Sequence, residues 1–287
     1  MLHRLLQFLT FAFSILLFAC SAPQTALDVR HFADAKNNFI ASDFKAALEN
    51  LDGTIKTTNN DALRQQALLV RVALVTALAD ANEQMAEAYH VGARQPAAHA
   101  QVNGFYKERS DYNNAARSYL MDAMQSVMDH RSKLSGNLMP IDVPFPGFTG
   151  ADDPALAKIK GGLFVSDNER LNAELQLDRN CLARVLSALA GADQNLNKGR
   201  EIYDAGKVQV DPRVYLVVLS DSFLRTGAMF DTKGLNEPDK FRIVNQVVRG
   251  NLDTATKLLQ AKPDKDLETR VKKMQDDCDK CLKKLGA

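Results

Sequence analysis

The chain has no tryptophan, and four cysteines are too few across 287 residues to staple a disulfide scaffold. Fifteen glycines and nine prolines are likewise too sparse for a fold built of many short turns. A charge of one sign is also missing. With 36 basic against 35 acidic residues, no long-range field draws the chain to phosphate backbones, and nucleic-acid binding loses its electrostatic footprint. Catalytic signatures are absent as well: there is no Gly-x-Ser-x-Gly elbow, and His31, His90, His99 and His130 are scattered outside any metal-ligating spacing. Gly161-Gly162 follows Lys160 but lacks the residues that cradle a phosphate, so it reads as a turn. An acid pair for glycoside hydrolysis would be an arbitrary choice from 35 acids. Neither a cofactor nor a metal is expected. What is present, 46% apolar with 25% charged residues, is the composition of an ordinary folded chain.

The N-terminus reads as an export signal over residues 1–19. Arg4 supplies a positive charge, and residues 5–18 form an apolar run too short to cross a bilayer but suited to a signal sequence. Leu17-Phe18-Ala19-Cys20 resembles the bacterial lipobox, with a polar tether over residues 20–27; Phe18 stands where that pattern has a small residue, which keeps ordinary cleavage open. The resemblance implies lipid attachment at Cys20, export to the bacterial cell envelope, and a periplasm-facing anchor in the outer membrane. The remaining body is charge-balanced and reads as having no other apolar span, so membrane attachment rests on acyl chains.

The body reads as all-α. Between Gln24 and Met139 the one proline is Pro96, and apolar residues recur at three- and four-residue steps. Residues 62–89 allow about eight helical turns, with Arg71 the one polar residue over 68–75. Prolines 140, 144, 146 and 154 with Gly147 and Gly150 predict a crossover loop over 136–165. This loop separates an N-terminal helical half, 28–135, from a C-terminal half, 166–287. In the latter, Ser166 with Glu169 predicts a capping box for a helix burying Leu171, Leu175, Leu182, Val185 and Leu189. A short helix over 194–205 follows, and residues 214–230 read as helix although β-branched. A pair over 237–249 and 252–262 is predicted around Gly250-Asn251, and Asp264 caps a last amphipathic helix whose alternating charges read as a solvated face.

Three stretches share one grammar of turn, helix opener, small alanine and bulky residue: Ser42-Asp43-Phe44-x-x-Ala47, Ser110-Asp111-Tyr112-x-x-Ala115 and Gly250-Asn251-Leu252-x-x-Ala255. Phe44 and Tyr112 stand 68 residues apart, twice the tetratricopeptide period, and a fused helix lies between them. Over 28–130, and more faintly over 166–262, the chain resembles tetratricopeptide-like helical-hairpin proteins, as an α-solenoid or an irregular bundle. The stretch Met85-Ala86-Glu87-Ala88-Tyr89-His90-Val91-Gly92-Ala93-Arg94, in an exported lipoprotein of this length, also resembles the T component that accompanies some TRAP solute transporters.

Cys278-x-x-Cys281 is the sharpest chemical pattern, but a structural zinc needs four ligands and Cys181 has no neighbouring Cys or His. A surface disulfide or idle thiols is the expected state, and Cys181 reads as a core residue. The expected role is non-enzymatic: an envelope-anchored module whose hairpins present a groove to an envelope protein or peptide. The tetratricopeptide resemblance implies a concave face of Phe32, Lys36, Phe39, Ala100, Lys107, Lys240, Val244 and Val247. Burial of Phe32 and Phe39 in the core is the alternative. An accessory transporter lipoprotein, or an envelope enzyme recognisable by a cleft of clustered acids, are the other readings.

Overall fold

The computed structural model describes residues 24–148, 153–192, 195–206, 208–231 and 234–286. Among these the chain is all-α, with ten helices packed as hairpins and a bundle and one small two-stranded sheet. It divides into two compact units after Leu68. The stretch 136–165 lies inside the second.

The first unit holds a helical hairpin, α1 (Gln24–Ala41) and α2 (Phe44–Thr57). Ser42 takes the left-handed φ of 58° that turns the chain, and the Asp43 carboxylate caps α2 by accepting from the Ala46 N–H at 3.0 Å. Phe39 and Phe44 flank this turn and meet edge to face at 6.2 Å. Ala47 is fully buried, as a close helix pair requires. The predicted turn grammar holds here.

Helix α3 (Asp61–Ala93) begins in the first unit, capped by Asn60, whose side-chain oxygen accepts from the Ala62 and Leu63 N–H groups. Its length and apolar content would suffice to cross a membrane, which corrects the expectation that the body holds no such span. It serves as a core helix: from Val72 to Ala81 every residue is buried, so no face of that stretch meets solvent.

The second unit continues with α4 (Val102–His130), β1 (Met139–Ile141), α5 (Pro154–Lys160), α6 (Asp167–Leu189), α7 (Leu196–Asp204), β2 (Val208–Val210), α8 (Pro212–Gly227), α9 (Pro238–Ala261) and α10 (Lys265–Lys284). Helices α8, α9 and α10 pack as consecutive neighbours, and α4 and α6 both lie against α8. The crossover is more than a loop: β1 pairs antiparallel with β2, Met139 opposite Val210 and Ile141 opposite Val208, and α5 follows. The Ser166–Glu169 capping box is present, and Asp264 caps α10.

Two of the three predicted turns are helix interior. Ser110-Asp111 lies within α4, where Asp111 pairs with Lys107 one turn earlier at 3.2 Å. Gly250-Asn251 lies within α9, which is one helix where a pair was expected. The residues there make a socket for Arg131. Its guanidinium donates to Asn251 Oδ1 at 3.0 Å and the Val247 carbonyl at 3.1 Å, and a Cβ on Gly250 would stand 2.6 Å from it. A small residue followed by Asn thus marks an arginine seat as readily as a turn. Leu171, expected on the buried face of α6, is 53% exposed, and Ala173 and Leu177 are buried in its stead.

Candidate docking face and acid cleft

The eight predicted groove residues separate by burial. Phe32, Phe39, Val244 and Val247 are buried, so these side chains are packing. Lys36 sits over the Phe32 ring at 5.2 Å, and Lys240 pairs with Glu237 at 2.7 Å. Only Ala100 and Lys107 stand out on the surface, both in the second unit. Cys20 lies outside the described residues.

Beside Lys107 the structure places a feature that periodicity did not reveal. Helix α5 ends at Gly161, and Gly162 takes φ +84°, with its α-carbon so close to Gln95 that a Cβ would lie 2.8 Å from the Gln95 Cβ. This turn delivers Leu163 and Phe164 to the surface at 53% and 41% exposure. The Phe164 ring rests over Gly104, one turn before Lys107 on α4, where a Cβ would meet the ring at 2.6 Å. Its other support is Phe105, edge to face at 4.5 Å. From there aromatic contacts run inward: Phe105 to Tyr89 at 5.6 Å, then Tyr89 stacked on Tyr112 at 5.6 Å. Phe164 is therefore the outer member of an aromatic row whose inner members are buried. Lys158 pairs with Glu169 at 2.6 Å and ties α5 to the start of α6, on either side of the exposed pair.

The row ends at a cleft of about 220 Å³ between α3, α4 and α6. Leu78, Ala81, Asn82 and Met85 line one side; Tyr112, Ala115 and Tyr119 another; Glu174 and Asp178, one turn apart on α6, complete it. Glu174 is engaged: the Tyr112 hydroxyl donates to it, and Arg170 pairs with it at 3.0 Å. Asp178 is pushed up to about 7 by burial, with the neighbouring Glu174 charge adding to the shift. Burial likewise raises Tyr112 and Tyr119.

The remaining titratable groups are held in packing. The His130 Nδ1 bonds the Ser126 carbonyl, which makes it the donor and leaves Nε2 to accept from the Tyr215 hydroxyl at 3.3 Å. Burial lowers the His130 pKa, consistent with a neutral ring. Cys278 is buried and pushed up to about 12 by that burial, so it is an inert thiol facing inward and not a surface residue; Cys281 is half-buried, and both are free. Cys181 is buried and accepts from Gln84 Nε2 at 3.2 Å, as a core residue. Among the described residues no group of three His, Cys, Asp or Glu side chains is placed to hold a metal.

No family model, curated protein or solved structure matches this chain.

Proposed function

We propose that the chain is a non-enzymatic, envelope-anchored helical protein that docks a partner polypeptide on the face of Leu163, Phe164, Ala100 and Lys107. The carrying observation is the Phe164 ring, presented to solvent on a rigid aromatic support beside a second large apolar side chain. Anchors of protein interfaces have this form: a preordered aromatic loses little freedom on binding and buries much apolar area. Lys107 gives the partner its chemistry. Lys107 itself is solvent-exposed, and its pairs with exposed Asp111 and half-buried Glu108 contribute about 0–1 kcal/mol, so the ammonium can re-pair with an acidic side chain of an apolar segment.

The anchoring half of the proposal rests on the resemblance of Leu17-Phe18-Ala19-Cys20 to the lipobox. If the partner is a solute-binding subunit, this is the accessory role that the TRAP T-component resemblance implies. Cys20→Ala should move the protein from the membrane to the soluble fraction, and Leu163→Ser with Phe164→Ser should abolish partner capture without unfolding it. Unchanged fractionation would refute the anchor, and unchanged capture the docking face.

A second reading, an envelope enzyme, draws on the acid cleft. A carboxyl held at about 7 beside two tyrosines and Asn82 has the acidity of a general acid or base. Loss of a measured hydrolytic activity in Asp178→Asn, with the fold intact, would favour it over docking.

A further inference from the structure

Three helices of the second unit border a partly open cavity of about 280 Å³, each contributing one arginine: Arg184 from α6, Arg225 from α8 and Arg270 from α10. Val185, Ala188, Val214, Val218 and Leu267 supply its apolar wall. The arginines differ in what holds them. Arg225 donates to the Asp80 carboxylate at 2.9 and 3.2 Å and lies 3.9 Å from Asp221, so its charge is answered within the fold. Neither Arg184 nor Arg270 has an ion pair or hydrogen bond among the described residues.

Three arginines therefore line one cavity in which Asp221 is the one lining carboxylate, and two of the three have no partner among the described residues. A cation that lines a concave, partly apolar surface without a carboxylate partner is open to pairing with an anion. A guanidinium also presents its N–H groups in a plane that matches a carboxylate bidentately. The apolar wall excludes a bare inorganic anion as the best fit, since such an ion would leave the valines and leucine uncovered. The volume, just below that of pockets for drug-sized molecules, sets a small ligand.

We infer that this cavity is a binding site for a small organic carboxylate, its carboxylate held by Arg184 and Arg270 and its apolar portion laid against Val185, Val214, Val218 and Leu267. Arg225 is a positioning residue, fixed by Asp80, that contributes field without leaving its partner. The site is independent of the docking face, so either can fail alone.

Titration calorimetry of the purified chain lacking residues 1–19 tests this with hexanoate and benzoate as probes, and acetate, inorganic phosphate and hexylamine as comparisons. Saturable binding of hexanoate or benzoate is expected, at least tenfold tighter than acetate or phosphate, with none for hexylamine. The variant Arg184→Gln with Arg270→Gln, at side chains that hold nothing else in the fold, should weaken it at least tenfold while keeping the wild-type circular dichroism and unfolding midpoint. Should the double variant unfold, the exposed Arg270→Gln change alone must still weaken binding measurably. No saturable carboxylate binding, equal binding of phosphate, or equal affinity in Arg270→Gln would overturn the assignment.

Discussion

Asp80, at 2% exposure in the middle of the core helix α3, is held by two hydrogen bonds from Arg225 of α8. A carboxylate in that position is stable only while its charge is answered, because burying an unpaired ion costs far more than a surface pair returns. Arg225→Ala should therefore cost about 2–3 kcal/mol. Adding Asp80→Asn should recover part of that loss, since the amide carries no charge to leave unpaired. Urea unfolding of the single and double variants checks this, and a double variant less stable than Arg225→Ala alone would contradict the pairing account.

Asp178 predicts a pH dependence of definite sign. Its carboxyl is pushed from 3.8 up to about 7, mainly by burial, so between about pH 4 and 7 the folded chain holds a proton that the unfolded chain has released. Stability must fall as pH rises across that window, by at most about 1.4 kcal/mol per pH unit for this group, and level off above it. Glu83, also raised to about 7 by burial and by the charges of Asp80 and Glu87, acts in the same direction. Asp178→Asn removes one of the two contributions. Its unfolding midpoint should thus decline less than wild type between pH 5 and pH 7.5; parallel declines would show that Asp178 titrates normally.

Alanines 47 and 115 occupy matching places in the repeated pattern but differ in space. Ala47 is fully buried, so Ala47→Leu should overpack its site at a cost of about 1–3 kcal/mol. Ala115 is half-buried and lines the acid cleft, where added methyl groups enter open volume. Ala115→Leu should cost less than about 1 kcal/mol, near the range of surface changes. Equal losses in thermal unfolding would contradict this distinction.

The all-α fold was legible because the signals that define helices are local. Ser166 with Glu169, Asp264 and Ser42-Asp43 each act within four residues, and each is found capping or turning as read. What was not legible depended on partners distant in sequence. Gly250-Asn251 looks like a turn until Arg131, more than a hundred residues earlier, fills the space that the glycine leaves. Ser110-Asp111 fails for the opposite reason, since the pattern asks for a break and the helix continues through it. Of the candidate groove, periodicity found the apolar positions but could not say which faced another helix: Phe39 and Val244 are packing, while Lys107 remains outside. Phe164 was missed because it follows a helix end and belongs to no stripe. Gly162 after a short apolar helix, ahead of Leu163-Phe164, was the one signal that could have found it. The arginine cavity draws one residue from each of three helices, 41 and 45 positions apart, a spacing that carries no motif.

The docking face is tested most directly by a photo-crosslinker in place of Phe164, the change Phe164→p-benzoylphenylalanine, irradiated in intact cells. The same probe replacing the exposed Lys257 on α9 serves as the reference. The account predicts one discrete heavier adduct from position 164, carrying the same envelope polypeptide in every preparation and suppressed by Lys107→Glu, with none from position 257. A yield at 164 no greater than at 257 would contradict it, and so would an adduct indifferent to the charge at Lys107.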